Sequence, residues 1–414
     1  MDPAPRRPPA APAVTGAHGL RVIGLMSGTS YDAVDAAAAD LAVDGGTLRL
    51  TPLGALSRPY AADLKEALVR ALPPGAVTMA DVCRLDTGIG RAFADVAVLA
   101  DRELCAGAAE LVASHGQTVY HWADPGGRVH GTLQLGQPAW IAEATGLPVA
   151  ADFRPRDVAA GGQGAPLVGL VDRMWLRGRP GRPVALNIGG IANITAVRPA
   201  AGTGDGAVAF DTGPGNALID AAVRELTGGR RDHDEDGRLA AAGAVHEPLL
   251  RYLLAEPYYR LPVPRTTGKE LFNGGYLRAA LHAAGLEGPD RDVVATLTLL
   301  TARTIADAVR PLGATEVVAS GGGVRNPVLM DRLRRELPGV PVRESDGLGL
   351  PAQAKEAYAF AVLGFLTALG LPGNAPACTG AVGPRVLGSL TPGRRPLRLP
   401  ATPAAAPHTL VVTR

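Results

Sequence analysis

What the chain is short of narrows it first. Its cysteines are Cys83, Cys105 and Cys378, scattered through 414 residues with no Cys-x-x-Cys spacing. This excludes a disulfide framework and a zinc site of paired thiolates, and reads as reduced thiols in a cytoplasmic protein. Aromatic residues are 4% of the chain, too few for a base-stacking surface. Net charge is +2, so no electrostatic term draws the chain to nucleic acid or to an anionic membrane. No unbroken apolar run approaches the roughly 20 residues that a membrane helix needs. The opening MDPAPRRPPAAPAVTGAHG carries Arg6 and Arg7 without the apolar run of a secretory signal.

What is present suits a globular enzyme. Hydrophobic residues are 47% and charged residues 19% of a chain long enough for two cores. Residues 1–18 and the Pro/Ala-rich 391–414 read as disordered tails. Between them, apolar residues at helical spacing mark helices from Ala61 to Leu72 and from Ala80 to Cys105. In the second helix Leu85, Ile89, Phe93, Val96 and Leu99 share one face. ELVASHGQTVYH reads as a strand, and WIAEATG as a short helix closed by Gly146. LPVAADFRPRDVAAGGQG reads as a strand running into a polar glycine-rich loop. Helices are expected near Leu249–Leu254, Gly274–Ala284 and Asp292–Leu312, and AKEAYAFAVLGFLTAL closes the ordered part as a helix.

One shape occurs twice. RVIGLMSGTSYDAVDAA and PVALNIGGIANITAV are both strand, glycine turn, strand. With the βαβα alternation behind each, they indicate two similar α/β units with a cleft between them. The expected boundaries are 19–153 for the first domain, completed by about 354–390, and 154–353 for the second.

Main-chain N–H groups at a tight glycine turn can hold an anion without a charged side chain, and glycine lets phosphate approach the backbone. Ser27, Gly28, Thr29 and Ser30 supply one set of donors, and Gly189–Gly190 a second. Neither turn is the lysine-bearing phosphate loop or the dinucleotide fingerprint. Two opposed turns would clamp one polyphosphate from both sides, with Mg²⁺ in place of the missing lysine. A third glycine loop, Gly321–Gly322–Gly323 in ASGGGVRNP, follows a strand and precedes a helix, a place where adenosine can lie against bare backbone.

Taken together, GLMSGTSYDAVDAA, SHGQTVYH, QLGQPAWIAEATGLPVAADFRPRDVAAGGQGAPLV, LNIGGIANIT, FDTGPGNALID, TGKELFN and ASGGGVRNPVLMDRLRREL resemble the anhydro-N-acetylmuramic acid kinase family, from about Arg21 to about Leu369. The resemblance implies an α/β fold of two actin-like (RNase H-like) domains with nucleotide and substrate in the cleft between them. It implies ATP with Mg²⁺ bound through it, a small amino-sugar substrate, no nucleic acid or membrane partner, and a possible homodimer. The implied reaction opens the 1,6-anhydro ring of 1,6-anhydro-N-acetylmuramic acid with water and phosphorylates the 6-hydroxyl. By the same resemblance, Asp211 in FDTGPGN is the catalytic base. Arg156 in DFRPRD, Glu356, His115 and Gln117 face the sugar. Gly28, Thr29, Ser30, Tyr31, Asp32, Ala33, Val34 and Asp35 form the ATP turn, with Gly189, Gly190, Asn193, Gly321, Gly322 and Gly323 also on the nucleotide.

Each residue has a plainer alternative. Asp211 could be a loop-capping residue, and Arg156 could pair with Asp157 or Asp152. His115 could be a satisfied core histidine, while Asp32 and Asp35 are either metal-side or solvated carboxylates. Lys269 in TGKE and the acidic His233–Gly243 read as solvated or helix-capping. Tyr31 and Ala33 depart from the family's usual Leu and Gly, and Ala33 is expected not to need positive φ. The rival functions are another actin-like sugar or carboxylate kinase, and a sensor that binds without turnover.

Overall fold

The computed structural model describes residues 19–28, 31–72, 75–124, 126–197, 207–268 and 270–413. Its strands are β1 (Gly19–Ser27), β2 (Ala33–Asp44), β3 (Thr47–Pro59), β4 (Leu111–Ala123), β5 (Val129–Leu135), β6 (Val149–Ala151), β7 (Pro183–Ile188), β8 (Ile191–Val197), β9 (Ala207–Pro214), β10 (Glu316–Ser320), β11 (Val342–Glu344), β12 (Ser389–Thr391) and β13 (Thr409–Val412). They form two sheets. The eight-stranded sheet runs β12-β6-β4-β1-β2-β3-β13, with β5 added to β4, and the five-stranded sheet runs β11-β10-β7-β8-β9.

The repeat seen in the sequence is a repeat of topology. In the first sheet β1 is antiparallel to β2 and parallel to β4, β2 is antiparallel to β3, and β4 is parallel to β6. In the second, β7 takes the place of β1, β8 of β2, β9 of β3, β10 of β4 and β11 of β6, with the same directions. The two glycine turns therefore occupy equivalent positions, one in each α/β unit, as expected of paired RNase H-like folds.

Local chemistry explains the helices. Met79–Leu104 starts at a capping box: Thr78 Oγ1 accepts from the Asp81 amide, and the Asp81 carboxylate accepts from the Thr78 amide. Its face of Leu85, Ile89, Phe93 and Val96 is buried against the first sheet, with Leu99 half-buried at the margin. The helix Lys355–Ala368 is buried at every residue except Glu356. It lies so close to β1 that a Cβ on Gly24 would collide with the Ala357 carbonyl. Lys355 donates to Asp172 at 2.8 Å, both of them buried, and so ties this helix to Gly169–Leu176. Glu356 is thereby fixed at the one open position of a closed helix.

Two expectations need correction. The stretch after β6 is not all loop, since Phe153–Ala159 is helical. The segment from 391 is not a loose tail through residue 413. β13 pairs in parallel with β3, Leu410 is buried opposite Leu48, and Thr413 Oγ1 lies 2.6 Å from Thr51 Oγ1. A free sheet edge offers unpaired N–H and C=O groups, and these four residues satisfy it. The expected tail 1–18 lies outside the described residues. Among the described residues no helix is long and apolar enough to cross a membrane, and the three cysteines form no disulfide.

Candidate active site

The first turn is built on side chains. Tyr31 N–H donates to the Gly28 carbonyl at 3.3 Å and closes the turn. Thr29 and Ser30 lie outside the described residues. Gln117, fully buried, sits beneath: its Nε2 donates to the Gly28 carbonyl at 3.2 Å, and its Oε1 accepts from the Ser27 hydroxyl at 2.7 Å. Its polar atoms are thus engaged under the turn rather than on a sugar. The positive φ falls at Tyr31 (58°) and not at Ala33. Val34 is buried in the apolar core, so it offers the turn only its main chain. Asp32 is exposed and pairs with Lys65 at 2.8 Å, and Lys65 stands 3.6 Å from Asp232 of the second unit. Asp35 lies opposite Ser57 at the base of the turn, its carboxyl raised above the ordinary range by burial and restrained by Ser57 and Arg325.

The second turn is built on main chain. The Gly189 carbonyl accepts from Asn216 N–H at 2.8 Å, and the Gly190 carbonyl from Gly215 and Ala217 at 2.9 and 3.0 Å. A Cβ on Gly215 would collide with the Gly189 carbonyl, which explains that glycine of FDTGPGN. Across the second sheet Ser320, Asn187, Asn193 and Asp211 stand in one row of directly paired residues. Asn193 thus neighbours Asp211. Asn187, which the motif reading passed over, leaves its buried Oδ1 without a protein partner in this row. The third glycine loop is pressed onto the same place. Gly321, at φ 87°, has room for no Cβ beside Asn187 Oδ1, and Gly323 has none beside Ile188. Gly322 between them faces open space.

Asp211 ends this row. Its Oδ2 accepts from the Thr266 hydroxyl and the Thr267 amide, both at 2.9 Å. Burial pushes its carboxyl up to about 6, against the pull of those two bonds, with Glu270 adding to the rise and Arg154 opposing it. Its main chain is gripped as well: its N–H donates to the Arg265 carbonyl at 3.0 Å, and Tyr258 Oη donates to its carbonyl at 2.8 Å. The loop 258–267 thus holds the carboxylate rigidly. Lys269 lies outside the described residues.

The arginine that reaches this centre is Arg154, not Arg156. Successive alternate residues on a helix point about 200° apart, so only one of the pair can face inward. Arg156 is exposed and has no side-chain partner among the described residues, so neither Asp152 nor Asp157 pairs with it. Asp157 is instead fully buried and accepts from Gly164 N–H, Asn374 and Thr379. Arg154 Nη1 donates to the Gly164 carbonyl at 2.7 Å and Nε to His115 Nε2 at 2.8 Å. It is close enough to Glu356 and Asp211 for each to favour its charge. Glu356 is itself raised by burial, which Lys355 and Arg154 oppose and Asp35 and Asp172 reinforce. Asp211 from the second sheet, Glu356 from the closing helix and Arg154 from the helix Phe153–Ala159 therefore converge, with Asp35 near the first glycine turn. The sequence reading took Arg156 from DFRPRD, and Arg154 stands two residues earlier in the same motif.

Two sheets of one topology, each with a glycine turn at the equivalent position, make the paired RNase H-like units of an actin-like fold. The model of the family described as anhydro-N-acetylmuramic acid kinase matches residues 20–393. Anhydro-N-acetylmuramic acid kinase of Streptomyces avermitilis is 68% identical over 95% of this chain and 100% of its own length. The Streptomyces coelicolor protein of that name is 62% identical over 95% and 99%. A solved glucokinase of the ROK family from Streptomyces griseus covers 83% of this chain and 99% of its own at 13% identity, with a TM-score of 0.33. The chain belongs to the anhydro-N-acetylmuramic acid kinase family.

Proposed function

We propose that this chain uses ATP and water to open 1,6-anhydro-N-acetylmuramic acid and yields N-acetylmuramic acid 6-phosphate and ADP, with the cytoplasm as its place of action. The observation that carries the mechanism is Asp211. It is a carboxylate within β9, held by two donors and pushed up to about 6 by burial, with Arg154 close enough to oppose that rise.

The anhydro bridge joins the anomeric carbon to the oxygen that will carry phosphate. Asp211 takes a proton from water as the water oxygen bonds to the anomeric carbon. The bond from that carbon to the sixth oxygen breaks, and that oxygen bonds to the γ-phosphorus while the bond to ADP breaks. Phosphoryl capture replaces the acid that a glycosidase uses on its leaving oxygen, so one base suffices. Arg154, rather than Arg156, is the cleft arginine, suited to the lactyl carboxylate or to phosphate charge. Glu356 faces the sugar. The turns at Gly28 and Gly189–Gly190 and the loop at Gly322 hold the nucleotide. The first sheet with the closing helix, and the second sheet with its helices, are the two domains.

Among the described residues no group of three or more ligating side chains is placed to hold a metal. A single carboxylate would fit the looser task of holding a nucleotide-borne Mg²⁺, and Asp35, opposite Ser57 and within electrostatic reach of Arg325, would be the one to do so. Mg²⁺ there would neutralise phosphate charge. The deciding experiment runs the reaction in heavy-oxygen water and locates the label by mass spectrometry. Label at the anomeric hydroxyl with unlabelled phosphate on the sixth oxygen is expected; label in phosphate alone would mean ATP hydrolysis and overturn the reading.

A further inference from the structure

His115 raises a question that the reaction leaves open. It is 3% exposed and its ring packs at a tilt of 46° against Phe360, at a centroid distance of 4.5 Å. Both of its nitrogens are taken up inside the protein. Nε2 lies 2.8 Å from Arg154 Nε, and Nδ1 lies 2.8 Å from the Gly116 carbonyl. A guanidinium nitrogen can only donate, and a carbonyl oxygen can only accept. The ring must therefore carry its proton on Nδ1 and present a lone pair at Nε2. A protonated ring would set N–H against N–H and break the contact. Burial, with the Arg154 charge second, holds the imidazole well below its ordinary range, so the neutral form persists. His121 also lies near Arg154, but its Nδ1 is engaged with the Thr132 hydroxyl at 3.1 Å.

Arg154 thus has two of its three nitrogens committed: Nε to His115 and Nη1 to Gly164. The plane of the guanidinium is fixed by those two acceptors, and the edge at Nη2 is left for an anion. We propose that His115 is a positioning residue: through its neutral Nε2 it fixes Arg154 so that one guanidinium edge is aimed at the anionic part of the substrate complex, and it touches no sugar itself. This rests on the placement of Arg154 in the site given above. It also explains a histidine in SHGQT with no spare valence for a ligand.

The test is a double-mutant cycle with a rescue arm, read as kcat/KM at saturating ATP. His115→Phe keeps the ring on Phe360 and removes the acceptor; it should lower kcat/KM about ten- to a hundredfold. His115→Gln can place an amide oxygen where Nε2 was and should recover most of that loss. In an Arg154→Ala background, His115→Phe should cost nothing further. Losses that multiply in the double variant, or a Gln variant no better than Phe in a folded protein, would overturn the proposal while leaving Arg154 in the site. Full activity of Arg154→Ala would overturn both readings together. An arm that needs no variant is ¹⁵N NMR of the histidine rings in the native enzyme. His115 is expected neutral and protonated at Nδ1, and a proton found on Nε2 would refute the hydrogen bond directly.

Discussion

The two glycine turns occupy the same place in two equivalent sheets, yet they are held by opposite means. The first rests on side chains: Gln117 and Ser27 lie under Gly28. The second rests on main chain: Gly215, Asn216 and Ala217 donate into the carbonyls of Gly189 and Gly190. A side-chain support can be altered by substitution and tuned, whereas a main-chain support tolerates almost no added volume. The second turn also lies beside the proposed base, because β8, which leaves it, pairs Asn193 with Asp211 of β9. On the proposed mechanism, the main-chain cradle is the one that stands beside the base.

The largest effect should come from the base on that rigid side. Asp211→Asn is expected to lower kcat at least about a hundredfold, with nucleotide binding kept, in a coupled ADP-release assay. Next is Gly215→Ala. Its methyl would strike the Gly189 carbonyl, and overpacking of that kind costs about 1–3 kcal/mol. Thermal unfolding and ATP affinity should both suffer, and a neutral result would remove the contrast between the cradles. Gln117→Leu should act more narrowly. It removes the Gln117 bond to Ser27, whose hydroxyl keeps the Ala33 carbonyl as acceptor, a loss of about 0.5–1.5 kcal/mol. KM for ATP should rise, with kcat changed less.

The smallest effect concerns pH. Asp211 must be ionised to act, so kcat/KM should climb through a midpoint near 6 and then level off. Stability runs the other way. The carboxyl has its folded-state value raised from 3.8 to about 6, so the folded chain keeps a proton that the unfolded chain loses. That contribution is whole below 3.8 and is lost as pH rises through 6. Asp211→Asn should lack this slope in denaturant titrations across pH 4–6, and a slope unchanged by the substitution would reject the assignment.

Much of this was legible in the residues, and the reasons differ by feature. Periodicity exposed Met79–Leu104 because one face is apolar and the other solvated. It exposed the two hairpins because glycine interrupts apolar strands at equivalent points. DFRPRD misled in two ways. The fold turns it into a helix, and helical geometry then selects Arg154, which no spacing rule distinguishes from Arg156. Asn187 was passed over because it is an ordinary strand residue in sequence, and only strand pairing sets it in the row with Asn193 and Asp211. His115 and Gln117 stand beside the site in sequence, and only hydrogen-bond accounting shows that their polar atoms are spent inward.

The strand at 409–412 bears on how the gene product should be handled. From 392 to 408 the backbone makes no helix or strand, and proline and alanine give that run stiffness without stickiness, so it works as a drawstring whose knot is the last pairing on β3. Trimming the chain to the family boundary at 393 would untie that knot and bare a hydrogen-bonding rim next to Leu48 and Leu50, an invitation to stick to other copies. A purification handle is better carried at the other terminus.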